Sequence, residues 1–166
     1  MRVLVSAASR HGATSEIADA IGRTLAGAGI EVDVVPPDRV ASLDGYDAVV
    51  LGSGVYMGRW LEPARTFAHR RTRELAARPL WLFSSGPIGM PPKPDEDPAD
   101  VPEIAAECRA REHRRFPGRI ERSKLGLGER AMASLVRARD GDDRPWTDIE
   151  AWAAEIARAL IDGTRR

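Results

Sequence analysis

The sequence predicts a three-layer α/β sandwich around a five-stranded parallel sheet of order 2-1-3-4-5, formed by a single domain over residues 1–166. Three observations carry this. Short apolar runs alternate with longer stretches of helical periodicity, the grammar of strand-helix-strand units with right-handed crossovers. Some of those runs are apolar almost throughout, as in strands buried on both faces of a parallel sheet. Five such runs are visible, which favours this order over the six-stranded dinucleotide-binding one. No internal repeat and no domain linker interrupts the pattern, and the chain is long enough for one full core.

Arg2-Val3-Leu4-Val5-Ser6 is the first strand. Ile17, Ile21 and Leu25 recur every fourth position and give a helix one apolar face, and Gly27 and Gly29 end it. Glu31-Val32-Asp33-Val34-Val35 is a second, more amphipathic strand, and Asp47-Ala48-Val49-Val50-Leu51-Gly52 the third. A helix is expected over 61–77, then a fourth strand at Pro79-Leu80-Trp81-Leu82-Phe83-Ser84, with Trp81 and Phe83 as core residues. Residues 87–102 hold six of the twelve prolines and the acidic cluster PDEDPAD, so a long exposed loop is expected there. Helical patterning resumes near Glu103, and a short fifth strand is expected over 115–120. Thr147-Asp148-Ile149-Glu150 reads as a capping box, in which the Thr hydroxyl and the Glu carboxylate satisfy free backbone N–H groups. Ile149, Trp152, Ile156 and Leu160 then form a core-facing stripe, with Trp146 as a staple.

Composition excludes several function classes. The chain carries 25 Lys plus Arg against 25 Asp plus Glu, and nucleic-acid binders show a basic excess that this balance lacks. Only Lys93 and Lys124 are lysines, an Arg bias of the kind a GC-rich genome produces, and the basic run at 109–115 reads as solvated helix surface. No window approaches the roughly 18 apolar residues of a membrane span. The apolar N-terminal stretch is short, with Glu16 and Asp19 behind it, so no signal peptide is expected. The single Cys108 fits a reducing compartment; it lies in a helical pattern and is expected to be packed rather than redox-active. A cytoplasmic protein is expected. His11, His69 and His113 lie far apart with no metal-ligand spacing, and no metal site is expected.

Ligands of such sheets bind at the carboxyl ends of the strands, near the point where strand order reverses. The loops after strands one, three and four are therefore the places to look. Residues 6–15, SAASRHGATS, offer hydroxyls, a Gly that admits close approach, and N–H groups at a helix N-terminus. Those are the means of holding a phosphate without lysine, although Thr14 or Ser15 as a simple helix cap would explain one hydroxyl. No Walker loop occurs in the chain. Residues 52–60, GSGVYMGRW, place three glycines beside Tyr56 and Trp60, which can stack on a flat ring. Trp60 can equally start the helix and pack inward. Residues 83–90, FSSGPIGM, can present backbone polar groups to the edge of a heterocycle, or simply turn the chain.

Taken in order, these motifs resemble those of the flavodoxin-like FMN-binding family, in particular its branch of menaquinone-dependent protoporphyrinogen oxidases and flavodoxin-domain proteins. The resemblance rests on Ser9-Arg10-His11-Gly12-Ala13-Thr14 with Glu16-Ile17-Ala18, on Tyr46-Asp47-Ala48-Val49-Val50-Leu51-Gly52-Ser53, and on Ser84-Ser85-Gly86-Pro87. Gly141-Asp142 with Pro145-Trp146-Thr147-Asp148-Ile149-Glu150-Ala151-Trp152-Ala153 adds to it. It implies FMN as cofactor, with Ser9, Arg10, His11, Gly12, Ala13 and Thr14 around the phosphate. Ser53, Gly54, Val55, Tyr56, Met57 and Gly58, with Ser84, Ser85, Gly86, Pro87 and Gly89, would flank the isoalloxazine ring. The chain departs from the family where Arg10 or Ala13 stands in place of a second small polar residue, and in the Pro-rich stretch after strand four.

The activity implied is that of an FMN-dependent oxidoreductase acting on a quinone or protoporphyrinogen-type substrate, a step of heme biosynthesis, with no catalytic acid or base among the side chains. Tyr56 is the first choice for a ring-stacking residue and Trp60 the second. A one-electron carrier is the alternative. Such carriers are commonly strongly acidic, whereas this chain is neutral and has Arg10 and Arg59 in its loops, which favours an enzyme. An FMN-free binding module is a third reading, and Arg10 and Ala13 speak for it. A response-regulator receiver needs acidic residues at the strand ends, and strands one, three and four do not end on Asp or Glu. The partners expected are a small-molecule or quinone redox partner, no nucleic acid, and at most peripheral contact with a membrane.

Overall fold

In a strand buried on both faces, successive side chains must satisfy two separate apolar layers. Strand β1 (Arg2–Ala8) does so: Val3, Val5 and Ala7 enter one core, Leu4 and Ala8 the other. The computed structural model describes residues 1–86, 96–120, 141–142 and 145–164. After β1 come α1 (Ala13–Gly27), β2 (Glu31–Val34), β3 (Ala48–Tyr56), β4 (Arg59–Trp60), α2 (Glu62–Arg70), α3 (Thr72–Ala76) and β5 (Leu80–Ser85). Then follow α4 (Val101–Glu107), β6 (Glu112–Phe116), β7 (Arg119–Ile120), β8 (Gly141–Asp142) and α5 (Trp146–Thr164).

The sheet runs β2-β1-β3-β5-β6, with every pair along that path parallel, and β4 pairs antiparallel to β3. The expected order is therefore present, with β5 and β6 as its fourth and fifth strands. Helices α1 and α5 cover one face, where Ile17, Ile21 and Leu25 meet Ile149, Trp152, Ile156 and Leu160. Helices α2, α3 and α4 cover the other, around Phe67, Leu75 and Ile104. Phe83, Phe116 and Trp152 form an aromatic trio on the first face, with ring centroids 5.6–6.4 Å apart. Among the described residues no helix is long and apolar enough to cross a membrane.

Several boundaries differ from the sequence expectation, each for a local reason. The helix expected over 61–77 is two helices broken at Arg71, whose guanidinium donates to the carbonyls of Val40 and Ala41. Thr72 Oγ1 also bonds back to the Ala68 and His69 carbonyls, a competitor of regular helix geometry. The fifth strand occupies Glu112–Phe116 instead of 115–120. Pro117 follows it and has no N–H for the ladder, and Arg119–Ile120 pairs with β8 in a separate ribbon. The capping box at Thr147 does not form. Helix α5 already begins at Trp146, and the Pro145 carbonyl accepts the N–H groups of Asp148 and Ile149, so Thr147 lies inside the first turn. The residues 52–60 are no open loop, because β3 continues to Tyr56 and turns back at once into β4.

Candidate functional site

The carboxyl ends of β1, β3 and β5 lie side by side: Ala8 is in register with Ser53, and Ser53 with Ser84. The three strand ends that carry the motifs thus meet at one edge of the sheet. At the end of β1 the chain turns at Gly12, which has φ 88°, a left-handed conformation that glycine adopts without Cβ strain. Gly12 is the residue before α1, and no side chain caps the helix there. A helix N-terminus carries N–H groups without intrahelical partners and a partial positive charge. Arg10, His11, Gly12 and Ser15 are exposed at this rim, and Ser9 and Ala13 are half-buried.

Two of the hydroxyls read as phosphate donors meet other parts of the protein. Ser9 Oγ accepts the N–H of Gly12 at 3.0 Å and so braces the loop. Thr14 is buried, and its Oγ1 would lie 3.1 Å from a Cβ placed on Gly54, so the end of β3 packs directly on the first turn of α1. Only a residue without a side chain fits there comfortably.

The end of β3 is a wall rather than a loop. Val55 pairs with Trp60 and Tyr56 with Arg59, leaving Met57 and Gly58 as a two-residue turn with φ 54° and 72°. Positive φ at both central residues defines a type I′ hairpin, whose twist matches the strands but which is costly for a methionine. Met57 is 58% exposed at the tip. Tyr56 is half-buried, and the Arg10 guanidinium lies 4.4 Å from its ring centroid, joining the first loop to the hairpin.

Trp60, the second choice for stacking, is not available for it. It is 2% exposed, its N–H donates to Asp100 Oδ1 and its indole Nε1–H donates to Ser84 Oγ at 2.7 Å. Ser53 Oγ accepts the N–H of Leu61 and donates to the Gly54 carbonyl, so it too is spent on the wall. At the end of β5, Ser84 and Ser85 are buried and Gly86, with φ 114°, donates its N–H to the Phe116 carbonyl. Gly86 also lies against the backbone of Val55. Pro87 and Gly89 lie outside the described residues.

One constellation escaped the sequence. Ser84 Oγ is 2.7 Å from His113 Nε2, and His113 Nδ1 is 3.2 Å from Asp97 Oδ1. Burial, the largest influence, pushes the His113 imidazole below its ordinary value, with Asp97 working against that shift. Cys108 is buried with Sγ toward the Ala68 carbonyl, and burial pushes its thiol up, away from reactivity. Among the described residues no group of His, Cys, Asp and Glu is arranged to hold a metal ion.

The model of the flavodoxin domain family matches residues 4–145. A curated relative, protoporphyrinogen IX dehydrogenase [quinone] of Escherichia coli strain K12, is 26% identical over 95 residues, 56% of this chain and 52% of the relative. The chain thus spans about half the length of the curated relatives it matches. Among solved structures, a flavodoxin from the domain Archaea superposes with a TM-score of 0.66 at 19% identity, over 96% of this chain and 99% of that one. A cysteine-to-serine mutant of flavodoxin from Pseudomonas aeruginosa gives 0.65 at 21% identity, with the same coverage.

Proposed function

Since the chain belongs to the flavodoxin domain family, we propose that it is an FMN-dependent oxidoreductase acting on a quinone or a protoporphyrinogen-type substrate, as a single cytoplasmic domain. FMN is the cofactor of the family, and when bound it supplies hydride and single-electron chemistry. The observation that carries the reading is the meeting of three features at one sheet edge. These are the N-terminus of α1 behind Gly12, the Tyr56 wall, and Gly86 at the end of β5.

The residues present fit such a group. Gly12 opens the backbone at the helix N-terminus, where N–H groups and the helix dipole favour a phosphate. Arg10 and His11 stand exposed at the same rim, and Arg10 adds positive charge. Tyr56 offers a half-buried aromatic face for a flat ring, and Gly54 removes a side chain where β3 meets Thr14 at the first turn of α1. The protein's part is to bind, orient and exclude water. The 26% identity to the E. coli enzyme supports the quinone and protoporphyrinogen class, and the neutral charge favours an enzyme over a carrier.

The test is the visible spectrum of the purified protein before and after adding FMN and dialysing. Retained flavin absorption, followed by turnover with a quinone acceptor, is the expected result. A colourless protein that releases added FMN overturns the proposal and leaves the FMN-free module. Bound flavin that exchanges electrons with small one-electron carriers but turns over no quinone selects the carrier.

A further inference from the structure

The indole of Trp60 can only donate a hydrogen bond. Ser84 Oγ is therefore an acceptor on that side, at 2.7 Å, and its second contact is His113 Nε2, also at 2.7 Å. The Asp97 carboxylate, which can only accept, faces His113 Nδ1 at 3.2 Å, so the neutral ring holds its proton on Nδ1 and its Nε2 accepts the hydrogen of Ser84 Oγ. An obligate donor at one end and an obligate acceptor at the other thus order a chain of three hydrogen bonds across β4, β5, β6 and the segment before α4. Its constitution is that of a Ser-His-Asp triad, but Ser84 is 1% exposed beneath the indole, so no acyl group reaches the oxygen.

We propose that His113 is a proton-operated switch on the Ser84 hydroxyl. Protonation at Nε2 turns that nitrogen from acceptor to donor. Ser84 Oγ then receives two donors, the indole and the imidazolium, and its own hydrogen leaves the line to His113. No covalent bond forms or breaks beyond the proton taken up from solvent.

The surroundings set where it turns. Asp97 and Glu112 favour the charged ring, Arg115 on the same strand opposes it, and Asp100 with Arg65 stands behind Trp60. Burial outweighs the attraction of Asp97, so the neutral, Nδ1-protonated form is the resting state and the switch turns below the ordinary imidazole value. The ring is 10% exposed on its side chain, which keeps it in reach of solvent protons. On the FMN reading the end of β5 flanks the flavin ring, and the switch rearranges the hydrogen bonds beneath that wall. That consequence rests on the flavin, whereas the switch does not.

The experiment is nitrogen-15 NMR of the full chain, labelled at His and Trp, across a pH titration. The expected result is an unprotonated Nε2 at neutral pH and a Trp60 indole resonance that moves with the same midpoint as His113. His113→Gln should abolish that movement, and Asp97→Asn, which removes an attraction at the surface, should carry both midpoints to lower pH together. A proton on Nε2 at neutral pH, or an indole that does not follow His113, overturns the switch. FMN retention measured on the same samples decides the flavin reading separately.

Discussion

Arg10 is the residue on which the sequence and the geometry press hardest. A guanidinium stacked 4.4 Å from the Tyr56 centroid gains about 0.5–1 kcal/mol at an exposed site. A phosphate offers it more, about 1.5–3 kcal/mol for a charge-assisted bond. Arg10→Ala should therefore weaken FMN binding roughly tenfold or more while leaving riboflavin, which lacks the phosphate, nearly unaffected. Fluorescence titration with the two flavins checks this, and equal losses would assign Arg10 to the ring instead. The motif of the first loop made its members legible, because each residue there neighbours the next along the chain. His113 was illegible for the opposite reason. Its partner Ser84 is 29 positions away, and only the parallel pairing of β5 with β6 brings the two together.

At the scale of elements, stripes of apolar residues were readable wherever a single helix meets a single sheet face. Ile17, Ile21 and Leu25 on α1, and Ile149, Trp152, Ile156 and Leu160 on α5, all lie in one buried cluster. Extra strand length was not readable. Gly54 and Gly58 look like loop residues, yet β3 runs on through Gly54 to Tyr56, and at Gly52, the expected end of the strand, a Cβ would stand 2.2 Å from the Phe83 ring. The glycine makes room for an aromatic on the neighbouring strand. That ring belongs to the trio through which α5 grips the sheet, and the Trp152 indole also donates to Glu112 Oε2 at 3.0 Å. Trp152→Ala should cost about 3–5 kcal/mol. Denaturant unfolding should show a lower midpoint at an unchanged slope.

For the whole molecule, two buried or paired groups make acid destabilising. Folded His113 binds its proton less readily than the unfolded chain, so stability falls as pH drops below the ordinary imidazole value of 6.5 and levels off once the folded ring is itself protonated. Asp33 lies below the ordinary carboxylate value, chiefly through the hydrogen bond from Tyr46 and also through Arg2. Its contribution is present above the carboxylate range and is lost at more acidic pH. Melting temperatures taken from about pH 7 to about pH 5 should decline in the wild type, and His113→Gln should flatten that window while leaving the later acid limb to Asp33. The order of the sheet was legible because apolar runs count strands. The two-residue β4 and the β7–β8 ribbon are too short to leave a periodicity.

Strand β3 outruns its neighbours, and that has a geometric consequence. Ala48 to Ser53 pair with β1 and Val49 to Gly54 with β5, whereas Val55 and Tyr56 pair with β4 above them. The strand that fills the middle of the core is also the one that sets the height of the site wall, like a gauge rod standing on the foundation it measures from. One residue inserted below Gly52 would exchange the two sides of every later position, sending Tyr56 away from Arg10 and Gly54 away from Thr14. Two would restore the sides and raise the hairpin by roughly 6–7 Å. The height of the wall is thereby counted in whole residues of one strand, and it changes only in steps.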